Sequence, residues 1–345
     1  MKKKVIGVVL SVVTAASLLA GCGTEKETAS AEAQKTEAQE TEVNSGKKVV
    51  IGYVDSGSSF PNEGLSVAID QGFLEEELSA VGYEVETVPF TGAGPAINEA
   101  LVNGSIDIAT TGDVPAIVGK SNGVDTVLLA GEIHTNDAAL AVPAASDIQT
   151  VADLKGKTVA TLQGSYMHKV LINMLEANGL SFSDVQFTSM TSGDAAAALE
   201  AGSVDAAVVA NTQEAALANS ENVRIILTCA ENESWKGGHA LVGRSQFVKE
   251  NRAAAVALVK AYKRSNEFAK ANREEAIKSL AKSGVSSASF EYLYPEEVNF
   301  NISGGTDVIE AYDEIKQFLL NNELIKNDFD ISQWIDTTIF EEAKL

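Results

Sequence analysis

The chain has 345 residues, 26 of them lysine or arginine and 48 aspartate or glutamate, for a formal net charge of −22. That balance leaves no basic stripe for phosphate, so nucleic acid is not expected as a partner. Two cysteines, Cys22 and Cys229, rule out a disulfide framework, and Cys229 within "RIILTCA" reads as a buried strand residue.

At the N-terminus, Lys2, Lys3 and Lys4 precede an uncharged run over 5–20 that is short for a bilayer span, so residues 1–21 read as a secretory signal. Residues 22–48 are rich in Ala, Glu, Thr, Gln and Ser and lack aromatics. Such a segment cannot bury a core and is expected to be a disordered tether with a reach of about 30 Å. Beyond it, β-branched runs alternate with Ala/Leu/Glu-rich segments of helical length, the pattern of a parallel α/β sheet. Strands are expected at 49–54, 83–90, 106–111 and 125–133, with helices at 62–79, 95–103 and 115–121. A second set follows: strands at 157–162, 185–190, 204–210 and 222–228, with helices at 165–178, 193–201 and 212–219.

One short unit occurs twice. "ALVNGSIDIATTGD" from Ala100 and "ALEAGSVDAAVVANT" from Ala198 share the frame A-L-x-x-G-S-[IV]-D-[IA]-A. Each reads as a helix end, a Gly-Ser turn and a strand, with Gly104 and Gly202 in left-handed caps and Asp107 and Asp205 as turn or capping carboxylates. The shared frame is scaffold, so function is sought in the unlike endings. Ligands of open α/β sheets collect outside the carboxyl ends of strands. Those ends are "DSGSSF" (55–60), "TGAGP" (91–95) and "TTGDVP" (110–115) in the first half, and "QGSY" (163–166), "TSGD" (191–194) and "ANTQ" (210–213) in the second. Pro95 and Pro115 suit first helical turns, whose unpaired N–H groups favour an anion.

Leu19-Ala20-Gly21-Cys22 resembles the lipobox of bacterial lipoproteins, which implies that Cys22 becomes an acylated N-terminus on the extracytoplasmic face of the cell membrane. The stretches "IGYVDSGSS", "AIDQGFLEEELSAVGYEVETVPFTGAGPAINEALVNGSIDIATTGDVPAI", "VADLKGKTVATLQGSYMHKVLINMLEANGLSFSDV" and "ALEAGSVDAAVV" resemble the solute-binding proteins of ABC transporters. The class is that of nitrate, sulfonate and taurine, which shares its fold with binding proteins for thiamine-pyrimidine precursors. The resemblance implies an α/β, two-lobed, periplasmic-binding-protein-like fold of type II with two crossover hinge segments and a ligand cleft between the lobes. It assigns 49–140 to lobe 1, 141–235 to lobe 2 and 236–345 to the return and C-terminal helices, with crossings near 138–146 and 229–243. Carried over position by position, ligand contacts fall on Ser56, Gly57 and Ser58, and on Thr111, Gly112 and Asp113. In lobe 2 they fall on Gly164, Ser165 and Tyr166, and on Asn211, Thr212 and Gln213. "ANTQ" departs from the aromatic or proline that many relatives carry. Asp113 stays open between a helix cap and contact with a ligand ammonium. Tyr166 and Trp235 stay open between packing on a ligand body and covering apolar surface. The implied partners are a small organic anion of sulfonate, taurine or nitrate type, a permease, and the membrane through Cys22, for a monomer without cofactor.

Rival readings are weaker. His134, His168 and His239 show no triad or zinc spacing, and H-E-x-x-H, C-x-x-C and P-loop patterns are absent, so no enzyme is expected. A metal receptor would need His134, His239, Asp113 and Glu132 to converge near the hinge. A pyrimidine or other heterocycle is the alternative solute. None of the five arginines falls in an expected cleft loop. A bidentate carboxylate clamp is therefore not expected, whereas hydroxyl and backbone N–H donors suit a sulfonate.

Overall fold

Two sheets carry the fold. The computed structural model describes residues 46–345 except 56, 57, 62, 219, 230 and 231. The expected signal, Cys22, most of the tether, Ser56 and Gly57 lie outside the described residues. Among the described residues no helix is long and apolar enough to cross a membrane.

The first half runs β1 (Lys47–Val54), α1 (Glu63–Asp70), α2 (Phe73–Ala80), β2 (Tyr83–Phe90), α3 (Ala93–Asn103), β3 (Ile108–Gly112), α4 (Asp113–Ser121) and β4 (Thr126–Asn136). The second runs β5 (Ala138–Pro143), β6 (Thr158–Thr161), α5 (Tyr166–Ala177), β7 (Gln186–Ser189), α6 (Ser192–Glu200), β8 (Ala206–Ala210), α7 (Asn211–Leu217) and β9 (Val223–Thr228). The return brings β10 (Gly237–Arg244), α8 (Ser245–Glu250), α9 (Arg252–Ala271), α10 (Arg273–Ala281), α11 (Ser287–Leu293), β11 (Ile302–Ser303), α12 (Thr306–Asn321), α13 (Ile331–Trp334) and α14 (Thr337–Glu342). The single helix expected over 62–79 is two, because Gly72 takes φ 74° and breaks it.

The strand orders are β11-β4-β10-β3-β1-β2 and β7-β6-β8-β5-β9. Without β11 the two sheets superimpose in order: β2-β1-β3-β10-β4 matches β7-β6-β8-β5-β9. The expected parallel pairing holds for β2-β1-β3 and β7-β6-β8. It fails for β10 and β5, which run antiparallel to their neighbours. The reason is topological. Each arrives from the other half at the carboxyl ends of the parallel strands and so must start there.

The repeated aspartates have a common role. Val50 N donates to Asp107 Oδ2 at 3.0 Å, and Thr158 N donates to Asp205 Oδ2 at 2.7 Å. Asp107 N and Asp205 N return bonds to Val50 O at 2.9 Å and Thr158 O at 3.0 Å. Each carboxylate thus extends the ladder between its half's first and third parallel strands beyond the backbone pairing. Gly104 and Gly202 take φ 75° and 67°, the left-handed turn that lets the helix end and the chain reverse.

Alternation along β1 sends Val49, Ile51 and Tyr53 into a core with α2 and α9, and Val50 and Val54 toward one with α3, α4, α12 and α13. In β5, Ala138, Leu140 and Val142 face α5, while Ala139 and Ala141 face α6. Both faces of both sheets are therefore covered, as βαβ connections require. The C-terminal helices pack on the first sheet's cores, and α11 also meets α7 of the second half.

The first crossing is the single residue Asp137, since β4 ends at Asn136 and β5 begins at Ala138. The segment expected to cross, 138–146, instead opens with a central strand of the second sheet. Asp137 Oδ1 accepts from Cys229 N and from Ala138 N, each at 2.7 Å, tying the two crossings together. At the return, Cβ atoms added to Gly237 and Gly238 would lie 2.4 Å from Tyr166 Cγ and 2.0 Å from Glu132 O, so only glycine fits.

Candidate functional site

A cavity of about 460 Å³ opens between the strand ends of the two sheets. Thr111, Gly112, Gly164, Ser165 and Tyr166 are brought together in its wall, with Asn211, Thr212 and Gln213. The "TGAGP" and "TSGD" loops contribute Thr91, Gly94, Thr191 and Gly193. Ser58 is exposed and does not line the cavity; its hydroxyl bonds Phe60 O at 3.2 Å.

Asp113 takes neither of its two expected roles cleanly. It is buried outside the wall, with Oδ1 accepting from Val114 N at 2.6 Å and Oδ2 from Gly238 N at 2.7 Å. It ties the start of α4 to the returning strand β10. Burial pushes its carboxyl up, opposed by the charge of Lys169. Lys169 is itself buried and donates to Ser234 O and Lys236 O, both at 3.1 Å, in the return crossing.

Helix starts converge on the cavity from both sides. Ser165 caps α5 by accepting from His168 N at 3.3 Å, and Thr191 caps α6 by accepting from Asp194 N at 3.2 Å. By contrast, α3 and α4 begin without a capping side chain, and Ala93, Gly94 and Gly112 at their starts line the wall. A Cβ on Gly94 would sit 2.2 Å from Pro115 Cβ, so glycine is what lets the two helix starts abut. Thr111 is 1 % exposed, and its Oγ1 has no hydrogen-bond partner. A buried hydroxyl left unpaired beside a cavity is a group awaiting a ligand or water.

Tyr166 does two things. It lines the cavity, its ring packs against Gly237, and its hydroxyl donates to Asp137 O at 3.0 Å. Its ring therefore touches both crossings. Trp235 packs against the core around α5 and does not line the cavity.

Sequence reasoning weighed His239 and Glu132 only as candidate metal ligands and missed Glu63, which joins them at a charged corner of the wall. His239 places Nε2 2.7 Å from Glu63 Oε1 and Nδ1 3.2 Å from Glu132 Oε2. Burial alone would push the imidazole down, but the charge of Glu63 and bonds to both carboxylates hold it well above the ordinary histidine range. Of the residues weighed for a metal, His239 and Glu132 meet here with Glu63, their ligand atoms within 4.8 Å of one another, whereas His134 and Asp113 are not in the group. Each ring nitrogen faces a different carboxylate, so a protonated imidazole can donate one N–H to each. The signal that could have found Glu63 is its position just past the "DSGSSF" strand end, in the first turn of a helix.

His168 belongs to the core, stacked on Phe187 and edge-on to Phe182, with burial pushing its pKa down to about 4. Cys229 is fully buried and its thiol is pushed up to about 12 by burial and by Asp137. Glu214, on α7, is buried, and burial followed by the charge of Asp137 raises it to about 7. Its Oε1 accepts from Tyr292 of α11 at 3.3 Å, and its Oε2 has no partner.

The model of a protein family described as NMT1/THI5 like matches residues 61–276. The chain belongs to the NMT1/THI5-like family. Within reach of it lies a protein of Escherichia coli (strain K12) named for binding aliphatic sulfonates, 35% identical over 191 residues, which are 55% of this chain and 59% of that protein. The match thus spans less than two thirds of that relative's length. A protein of Bacillus subtilis (strain 168) with the same name is 27% identical over 288 residues, 81% of this chain and 84% of its own. Among solved structures, the periplasmic aliphatic sulphonate binding protein SsuA from Escherichia coli aligns with a TM-score of 0.70 at 29% identity, over 85% of this chain and 92% of that one. The solved structure shares the fold described above.

Proposed function

We propose that this protein is the extracytoplasmic solute-binding component of an ABC importer, taking a small organic anion of the sulfonate type into the cavity and delivering it to a permease. The observation that carries the reading is the convergence of helix starts and hydroxyls from both sheets on one cavity, with no lysine or arginine among the described residues of its wall. Backbone N–H groups at helix starts hold a permanently ionised head without needing a cationic side chain. The names of the relatives agree with this chemistry. Catalysis has little to work with: Cys229 is buried and protonated, and the hydroxyls of Ser165 and Thr191 are engaged in caps. In the same reading residues 49–140 and 236–345 form one lobe and 141–235 the other, and Cys22 carries the lipid that holds the protein at the membrane.

A thermal-shift screen of the purified protein against alkanesulfonates, nitrate, taurine, pyrimidines and divalent metals tests it. A sulfonate at a hundred times its Kd adds about 2.7 kcal/mol to the folded state and raises Tm accordingly. A response confined to metals or pyrimidines, or turnover of any hit, overturns the reading. Mass spectrometry of the membrane-extracted protein tests the acyl chains on Cys22.

A further inference from the structure

The first three residues of α7, Asn211, Thr212 and Gln213, line the cavity; the next, Glu214, does not, and is only 4 % exposed. Of the elements packed chiefly against α7, which are α6, β5, β8, β9 and α11, only α11 follows the return crossing. Tyr292 of α11 donates to Glu214 Oε1 at 3.3 Å, while Glu214 Oε2 is buried without a partner. A seam thus joins the two halves outside their sheets, one residue beyond the cavity wall. Tyr292 is itself half exposed, so the cover over Glu214 is a thin one that a hinge motion can lift.

No base neutralises the carboxylate. The charged side chains on the elements around it are Asp194 and Glu200 of α6, Glu291 of α11 and Arg224 of β9. The Arg224 guanidinium is taken by Ser146 O and Ile148 O. Burial first, then the charge of Asp137 in the first crossing, raises the Glu214 carboxyl to about 7, opposed by the Tyr292 bond. A carboxylate placed there loses hydration that it keeps in water. With α11 lifted away, Glu214 returns to solvent and to its ordinary 4.5. The group therefore favours the joined seam in full below about pH 4.5, and that advantage is lost as pH rises through about 7.

We propose that α7 and α11 form a proton-linked latch: closing the two halves on a solute buries Glu214 under α11 and takes up one proton there, so capture is tighter in acid and release is favoured when the proton leaves. This rests on the solute-binding reading above. Glu214 acts as a positioning residue, because it holds the cavity-lining start of α7 against the first half without touching the solute.

The test is isothermal titration of the full-length protein with propanesulfonate in buffers of unlike ionisation enthalpy. The sulfonate stays ionised throughout, so any proton taken up goes to the protein. Uptake of close to one proton per solute is expected near pH 6, with a Kd at least about fivefold lower at pH 5.5 than at pH 8. Glu214→Gln should abolish both, whereas Tyr292→Phe, which removes the bond opposing protonation, should keep the uptake and move it to higher pH. A second measurement needs no solute: amide deuterium exchange of α7 and α11, compared between the unaltered protein and Glu214→Gln at one pH. Exchange should be faster in the unaltered protein at pH 8 and the same in both at pH 5.5. Binding without proton uptake, uptake that persists in Glu214→Gln, or matched exchange at both pH values overturns the latch and leaves the sulfonate reading standing. Failure of propanesulfonate to bind overturns the sulfonate reading alone, and the exchange comparison then decides the latch.

Discussion

In the first half Asp107 accepts the amide of Val50 and also pairs with Arg244, whereas in the second Asp205 accepts the amide of Thr158 with no arginine counterpart among the described residues. The same carboxylate clips the same two strands in both. At the opposite ends of those strands the sheets part company: the first presents Asp55, Glu63 and His239 to the cavity beside its own helix starts, the second a neutral set of hydroxyls, amides and helix starts. Duplication preserves what the backbone geometry demands and releases the strand ends to take on separate chemistry.

The sharpest way to break this comparison is to remove both clips. Asp205→Ala leaves the part-buried amide of Thr158 unpaired and is expected to cost about 2 kcal/mol. Asp107→Ala also removes the carboxylate partner of Arg244, whose Nε keeps its bond to Ile106 O, and is expected to cost roughly 4 kcal/mol. Urea unfolding of the two variants checks the order, and equal losses would show that Arg244 adds nothing. Next in size is Glu214, which joins α7 of the second half to Tyr292 of α11. Its pKa lies near 7 in the folded protein against an ordinary 4.5, so the native state binds the extra proton between those values. Stability from this group is full below about pH 4.5 and falls as pH rises to about 7, by about 3 kcal/mol in all. Glu214→Gln should flatten that slope in melting curves taken from pH 4.5 to 8, and an unchanged slope would remove Glu214 as its source. The smallest effect is expected of Thr111→Val, which deletes an unpartnered buried hydroxyl at nearly constant shape. The free protein should gain up to about 1 kcal/mol while its ligand-induced Tm shift shrinks.

Much of the scaffold was legible in the sequence because its determinants are local. The G-S-[IV]-D frame carries turn, cap and strand start within a few residues, and the strand at 83–90 has the expected bounds. The polar strand ends named a cavity wall for the same reason: a strand's carboxyl end is fixed once the strand is. What escaped depends on contacts distant along the chain. Glu63, Glu132 and His239 meet only because β10 returns between β3 and β4, and no spacing encodes that return. Asp113 looked like a helix cap or a ligand contact because its other partner, Gly238 N, arrives from the same strand. The break between α1 and α2 had a local sign, Asp70-Gln71-Gly72, that the continuous apolar pattern outweighed.

The crossing at Asp137 bears on how this chain tolerates changes in length. With one residue between β4 and β5 there is no slack, and an insertion there would turn every β5 side chain to the opposite face, exchanging Leu140 and Val142 for Ala139 and Ala141 against α5. Surface turns elsewhere, such as the one through Gly179, can lengthen at little expense. Among descendants of this sequence, insertions and deletions should therefore accumulate around the rim and spare this one peptide junction.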